Sequence, residues 1–176
     1  PHIARYYRFA RTIDDIADNP DTSSDEKISR LEGFAKVIRG DDTSSSAFAI
    51  GHQMRDSLIE TGVSEKHCLD LITAFKQDAI KGRYQNWDEL VEYCLLSAAP
   101  VGRYLIDLHG GTEDGYGPSD ALSIALQVIN HLQDCKEDYL EMDRVYIPMD
   151  WMVAHGVTVE NLNQPKLSYP FRQVLD

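Results

Sequence analysis

The chain has 176 residues, 26% of them charged, and a formal net charge of −12 at pH 7. The acidic balance argues against a nucleic-acid-binding surface, because phosphate backbones are bound by an excess of Lys and Arg. A chain of this length can bury the core of one domain. The sequence begins at Pro1 inside an apparent helix and ends at Asp176 where another begins. We therefore expect a single domain over residues 1–176 that is truncated at both ends.

Cysteine usage and hydropathy indicate where such a chain works. Cys68, Cys94 and Cys135 are widely spaced and include no CxxC motif, so neither a zinc site nor a disulfide framework is indicated. A reducing cytoplasm is the simplest location. No apolar stretch is long enough to span a bilayer, because Arg103 interrupts the most apolar one, residues 95–108.

Apolar residues recur with the 3.6-residue period of a helix along nearly the whole chain, which predicts an all-α fold. The first helix covers residues 1–18, and Asn19-Pro20 ends it. The second begins after Ser23, which is expected to form a capping box with Glu26, and it runs to Gly40.

Three further helices follow in the middle of the chain. One precedes Gly62, and the next covers residues 64 to about 81. A longer helix opens after Asn86 and continues to Leu108. Pro100 should kink it, because proline removes a backbone hydrogen bond and clashes with the preceding turn.

A sixth helix is predicted from Ser119 through Tyr139. Its polar side carries Gln127, Asn130 or His131, Asp134 and Asp138, and its apolar side carries Leu122, Ala125, Ile129 and Leu132. Beyond it, residues 144–148 are expected to form a short extended connection, and residues 150–155 a short helix.

Two acidic clusters are the most informative feature of the sequence. Asp14 and Asp18 lie four residues apart on the first helix, and Asp134 and Asp138 repeat that spacing on the sixth. Carboxylates at this spacing share one helix face, roughly 6 Å apart, where they repel each other. A strongly positive partner between the helices would offset this repulsion. Mg²⁺ suits the role best, since it binds carboxylates, waters and substrate phosphates.

A single acidic pair of this kind usually belongs to a solvated helix face. Two pairs, accompanied by Arg11 and Asn130, favour the metal-binding interpretation. Asp15 and Glu137 lie off the acidic stripe, so a surface position, a supporting role and metal contact all remain open for them.

Four segments together resemble the squalene and phytoene synthases, which are head-to-head prenyl synthases. Residues 11–18, Arg-Thr-Ile-Asp-Asp-Ile-Ala-Asp, resemble the first aspartate motif of that family, and residues 130–138 resemble the second. Residues 93–103 resemble its tyrosine-to-valine-glycine segment, and residues 143–148 its arginine-containing closing segment. The resemblance implies an isoprenoid-synthase fold, a helical bundle around a central cavity.

Within the family the chain is most similar to the bacterial hopanoid-pathway type called HpnC, through residues 97–103, 107–110 and 132–135. That type is understood to convert presqualene diphosphate to hydroxysqualene, with water ending the reaction. Eukaryotic squalene synthases carry arginine where Gln133 stands, and a small flexible pair where Ala99-Pro100 stands. These departures argue against NADPH as a cofactor.

The resemblance also implies the roles of individual residues. Metal ligands would be Asp14, Asp18, Asn130, Asp134 and Asp138. Substrate-binding residues would be Tyr7, Arg11, Ser97, Val101, Gln127, Asn130, Gln133 and Arg144. Catalytic residues would be Tyr93 and the four aspartates.

The chemistry of these side chains suits those roles. Arg11 and Arg144 offer forked donors to phosphate oxygens, although Arg144 could instead cap the helix that ends near Tyr139. Tyr93 can face a carbocation with its ring or accept a proton at its hydroxyl; a plain core aromatic is the alternative. Tyr7, Phe9, Tyr93 and Tyr104 are candidates for the aromatic walls that keep water from a cation.

Other polar residues have simpler interpretations. Asp78, Lys81, Arg83 and Tyr84 form a cluster that a solvated helix end explains almost as well as diphosphate contact. His131 has no second histidine at ligand spacing and is expected to be a satisfied polar residue. Trp87 and Trp151 are expected to serve in packing.

Two rival functions remain beside hydroxysqualene formation. One is farnesyl diphosphate condensation to presqualene diphosphate or squalene, or a phytoene synthase-like activity. The other is a non-catalytic assembly scaffold, although such a protein has no need for four self-repelling carboxylates. The expected partners are a prenyl diphosphate and the enzymes of squalene and hopanoid synthesis. Such greasy products also suggest peripheral contact with the inner face of the membrane.

Overall fold

The computed structural model describes residues 1–166 and 168–175. These residues form helices and no strand, which confirms the all-α prediction. The α-helices are α1 (His2–Asp18), α2 (Ser24–Arg39), α3 (Ala49–Thr61), α4 (Lys66–Asp78), α5 (Trp87–Ser97), α6 (Ala99–Leu108), α7 (Tyr116–Gln133), α8 (Cys135–Met142), α9 (Met149–Ala154) and α10 (Tyr169–Leu175). None of them is long and apolar enough to cross a membrane.

The predicted ends of α2 and α3 are confirmed. Ser23 Oγ accepts a hydrogen bond from the Glu26 backbone N–H at 3.3 Å, which is the first half of the expected capping box. Gly40 ends α2 with φ 85° and Gly62 ends α3 with φ 72°. Both glycines adopt the left-handed conformation that residues with a Cβ rarely tolerate.

Two predicted helices are each divided in two. The helix expected to kink at Pro100 breaks instead at Ala98 (φ −117°, ψ −48°), so that Pro100 lies in the first turn of α6. Proline is tolerated there because a first-turn N–H has no partner within the helix. The sixth predicted helix is α7 followed by α8, with a kink at Asp134 (φ −97°, ψ 4°).

The main core lies between α1, α2, α3 and α4. Phe9, Ile13, Leu31 and Met54 are fully buried there. Tyr6 adds a stacked contact with Tyr104 of α6, with the ring centroids 3.9 Å apart. Each such side chain contributes roughly 1.5–3 kcal/mol on burial. Because α1 is held along its apolar face, Asp14 and Asp18 take fixed positions.

The prediction for the apolar side of α7 is confirmed for Leu132, which packs against a core cluster, and wrong for the other three residues. Leu122 is 62% exposed and Ile129 50% exposed, and Ala125 is exposed as well. The helix packs on α5 and α6 through a different side, and Arg103 of α6 forms a forked ion pair with Asp120 at 2.9 and 2.5 Å. That contact fixes the rotation of α7 and turns Gln127 inward.

The extended connection over residues 144–148 is confirmed, and it lies beside residues 82–85. Val145 N–H donates to Gly82 O at 2.9 Å, and Met149 N–H donates to Tyr84 O at 2.9 Å. A Cβ on Gly82 would lie 2.6 Å from the Asp143 carbonyl oxygen. The glycine therefore permits the close approach that carries Arg144 back toward α1.

We predict that Gly82→Ala lowers the free energy of unfolding by roughly 1–3 kcal/mol, because a backbone atom must move to admit the methyl group. Gly117→Ala is the matched control, since a Cβ there meets nothing within 4 Å. Urea titration of both variants provides the measurement. An unchanged midpoint for Gly82→Ala would contradict the prediction.

Candidate active site

An acidic cavity of about 330 Å³ lies where α1, α4, α5, α7 and α8 meet residues 144–146. The structure brings together there, among others, Arg11, Asp14, Asp18, Tyr93, Gln127, Asn130, Asp134, Asp138 and Arg144. The two aspartate pairs are far apart in the chain, because Asp134 follows Asp18 by 116 positions. Their assembly in one cavity is what a shared ligand requires.

A second cavity, of about 400 Å³ and mainly apolar, adjoins the acidic one. Arg11, Asp14, Phe75 and Gln127 line both. Its remaining lining consists of Tyr7, Ala10, Leu71, Ser97 and Val101. The break between α5 and α6 places Ser97 in this wall. A charged head and a long apolar tail could therefore lie side by side across the junction.

Gln133 is the predicted substrate-binding residue that the structure does not bring to either cavity. Its side chain is exposed at the end of α7 and lies outside both linings. Asp15 and Glu137 are likewise exposed and outside both linings, which favours the surface position among the alternatives for them.

Arg144 is the buried one of the two arginines that line the acidic cavity. Its Nη1 donates to Asp18 Oδ1 at 2.6 Å, and its Nη2 donates to the Ala17 carbonyl oxygen at 3.0 Å. The side chain of Arg144 therefore does not cap the helix that ends near Tyr139. Its backbone N–H, however, donates to Asp138 O at 3.1 Å. The guanidinium instead joins the closing segment to the end of α1.

The first acidic pair is held by Arg11. Arg11 Nη1 donates to Asp14 Oδ2 at 2.8 Å, and its Nη2 lies 3.0 Å from Asp15 Oδ1. Burial and the neighbouring charge of Asp18 nevertheless raise the pKa of Asp14 to about 6. Removal from water and like-charge repulsion thus exceed the attraction of Arg11.

The second acidic pair behaves in the same way. Burial and the charge of Asp134 raise the pKa of Asp138 to about 6. Asn130, one turn before Asp134 on α7, adds a neutral oxygen to the same wall. Both pairs therefore carry a like-charge excess that a bound cation would relieve.

The arrangement suits ions that share their ligands with a bound anion. Among residues 1–166 and 168–175, no three acidic, histidine or cysteine side chains converge closely enough to hold a metal ion alone. Mg²⁺ is normally held by one or two carboxylates, with waters and substrate phosphates completing its octahedral shell. Two carboxylate pairs and the Asn130 amide fit that requirement.

Asp78, for which the sequence left a solvated helix end and diphosphate contact as alternatives, lines the acidic cavity. Its side chain is buried, and its two carboxylate oxygens accept hydrogen bonds from Tyr93 OH at 2.8 Å and Tyr146 OH at 3.2 Å. Burial, the largest influence, raises its pKa to about 6. The solvated-helix-end interpretation is wrong for Asp78. The signal was its position on the apolar stripe of α4, seven residues after buried Leu71.

The rest of that cluster lies outside the cavity lining. Lys81 pairs with Glu89, Arg83 pairs with Asp143 at 2.5 Å, and Tyr84 is buried against Tyr146. These contacts hold the three side chains just beyond the end of α4, outside the cavity where a diphosphate would bind.

His131 belongs to the same wall as Tyr146. The two rings stack with centroids 3.6 Å apart. Burial and the charge of Arg144 lower the pKa of His131 to about 4, so the ring is neutral near pH 7. Its Nε2 lies 3.2 Å from Gln127 Nε2, where it can accept a hydrogen bond. Trp87 and Trp151 stack on each other at 5.4 Å, which confirms their packing role.

Comparison with known proteins agrees with this geometry. The profile of the Squalene/phytoene synthase family matches residues 1–176. The chain belongs to this family. It is 42% identical to a hydroxysqualene synthase from Sinorhizobium fredii over 98% of this chain, and 42% identical to one from Zymomonas mobilis over 100% of it.

The chain spans 58% and 59% of the lengths of those two relatives. The crystal structure of the squalene synthase HpnC from Alicyclobacillus acidocaldarius superposes with a TM-score of 0.82 at 27% identity, covering 99% of this chain and 65% of that one. The fold is thus the isoprenoid-synthase helical fold, and the resemblance seen in the sequence is confirmed.

We predict that Asp138→Asn stabilises the protein at about pH 7 and that the gain vanishes at about pH 4. Because the folded-state pKa lies above the unfolded value of 3.8, the folded state binds the extra proton between the two values. The charged carboxylate therefore costs stability above about pH 6 and costs nothing once protonated in both states.

Urea denaturation at the two pH values measures this, with an expected gain of up to about 1 kcal/mol near neutrality. Glu141→Gln, an exposed acid on the same helix, serves as the control and should change little at either pH. Loss of stability in Asp138→Asn near pH 7 would contradict the prediction.

Proposed function

We propose that this protein is a Mg²⁺-dependent enzyme that converts presqualene diphosphate to hydroxysqualene. The observation that carries the proposal is the acidic cavity, lined by two carboxylate pairs, that opens into a mainly apolar one. The 42% identity to proteins named hydroxysqualene synthase supports this reaction among those of the family.

The charged end of the substrate would lie in the acidic cavity. Asp14, Asp18, Asn130, Asp134 and Asp138 would hold the ions, and bound Mg²⁺ supplies neutralisation of the diphosphate charge. The guanidinium of Arg11, at the junction of the two cavities, can donate to phosphate oxygens. Arg144 is paired with Asp18 and would chiefly offset the negative charge of the carboxylates.

The prenyl chains would lie along the apolar cavity, against Tyr7, Leu71 and Val101. The carbon–oxygen bond to diphosphate breaks with the electron pair leaving on oxygen. The cyclopropane ring of the presqualene skeleton then opens, which moves the positive charge to another carbon, and a water adds to that cation and loses a proton. Tyr93, at the edge of the acidic cavity, would stabilise that cation. Because water ends the reaction, no reductant is consumed and NADPH is not needed.

The lipid nature of substrate and product also supports a location. We expect a cytoplasmic enzyme that meets the membrane surface peripherally and hands its product to other enzymes of squalene and hopanoid synthesis.

We predict that Mg²⁺ and inorganic pyrophosphate together raise the melting temperature, because a ligand at a hundred times its Kd adds about 2.7 kcal/mol to the free energy of unfolding. Differential scanning fluorimetry of this chain measures the shift. Asp138→Asn should lose most of it, whereas Glu141→Gln should keep it. A wild-type protein without any shift would favour the assembly-scaffold alternative.

Mass spectrometry of lipid products from the full-length protein tests the reaction itself. With Mg²⁺ and no NADPH, presqualene diphosphate should yield hydroxysqualene, and Asp14→Asn should reduce turnover below detection. Presqualene diphosphate accumulating from farnesyl diphosphate would instead assign the condensing reaction. Retained turnover in Asp14→Asn would overturn the metal assignment.

A further inference from the structure

We propose that Asp78 is a positioning residue, which orients the hydroxyl groups of Tyr93 and Tyr146 and places a fixed negative charge beneath the reacting cation. The inference rests on the proposed function and assigns a role to a residue outside the two aspartate motifs.

The geometry commits both tyrosines to one carboxylate. Tyr93 donates to Asp78 Oδ2 and Tyr146 donates to Asp78 Oδ1. A phenol has a single proton, so each hydroxyl that donates to Asp78 has only lone pairs left for any other partner. The acidic cavity, which all three residues line, is therefore offered two hydrogen-bond acceptors and no donor from this wall.

The carboxylate also forms no direct ion pair in the described part of the chain. In the part of the chain that the structure describes, no basic side chain forms an ion pair with Asp78, and Arg144 is engaged by Asp18. Two neutral hydroxyls are the hydrogen-bond partners of its carboxylate. Arg144 acts on this carboxylate through its field, without a direct ion pair. A buried carboxylate held directly by neutral donors is costly, and such groups concentrate at functional sites.

The surrounding rings act in the same sense. The centroids of Tyr93 and Tyr146 are 5.4 Å apart, and the Tyr146 ring stacks with both His131 and Tyr84. An aromatic face attracts a cation, and a fixed charge acts strongly where water is excluded. Two oriented hydroxyl oxygens, the Tyr93 ring and a carboxylate together would favour a cation formed beside Tyr93.

The test compares three variants of the full-length protein, assayed with presqualene diphosphate and Mg²⁺. Asp78→Asn keeps the shape of the side chain, removes its charge, and can accept from only one tyrosine. Tyr93→Phe removes one of the two hydroxyls. Tyr84→Phe is the matched control, because Tyr84 is buried beside the same rings but its hydroxyl lies 3.3 Å from Gln77 Nε2 and not on Asp78.

We expect kcat to fall about 10- to 100-fold in Asp78→Asn and in Tyr93→Phe, with a changed ratio of lipid products. KM and the thermal shift with Mg²⁺ and pyrophosphate should stay within about twofold of wild type, since neither Asp78 nor Tyr93 is among the proposed ion ligands. The double variant should lose less than the product of the two single losses, because both act through one unit. Tyr84→Phe should retain its rate and products.

Unchanged kcat and products in folded Asp78→Asn, or losses that multiply in the double variant, would overturn the inference. If Asp78→Asn does not fold, Tyr93→Phe alone decides the test. An unchanged rate and product ratio in Tyr93→Phe would then overturn the inference. A wild-type protein that does not turn over presqualene diphosphate would instead overturn the proposed function itself.

Discussion

The buried guanidinium of Arg144 is the countercharge on which the acidic cavity depends. It donates to Asp18 and to the end of α1, and its field lowers the pKa values of Asp14, Asp78 and Asp138 against the burial that raises them. Without it, the more exposed Arg11 would be left to balance several carboxylates in a partly dry space. A buried ion pair is weak evidence for stability, so its value here lies in permitting the cavity to form.

The two halves of the site have different structural origins. Asp14 and Asp18 project from a helix anchored through its opposite face by Phe9 and Ile13, which belong to the main core. The other wall comes from α7, α8 and the closing segment, whose approach to α4 depends on the space left by Gly82. The site therefore depends on contacts between residues far apart in the chain, such as the bridge between Arg83 and Val145 beside the Arg144–Asp18 ion pair.

Local patterns predicted what local geometry determines. The four-residue spacing of Asp14 and Asp18 was enough to place both on one face, and Gly40 marked a helix end. The burial of Asp78 and its contacts were not predicted, because its partners, Tyr93 and Tyr146, are 15 and 68 residues away, and no helical period links them. Leu122 was assigned to the wrong side of its helix because the Arg103–Asp120 pair, a tertiary contact, fixes the rotation of α7. The burial of Arg144 was likewise not predictable from its own segment, because its partners Asp18 and Ala17 are 126 and 127 residues away.

The kink at Asp134 gives the two acidic pairs different backbone geometries. Asp14 and Asp18 share one unbroken helix, so the gap between their oxygens varies only through side-chain rotation. Asp134 lies at a backbone joint between α7 and α8, and hydrogen bonds from Asp134 N–H to Asn130 O at 2.9 Å and from Asp138 N–H to Asp134 O at 2.8 Å continue across it. In the proposed enzyme, the separation of the first pair would therefore follow from regular helix geometry, whereas that of the second would follow from the angle at which two helices meet.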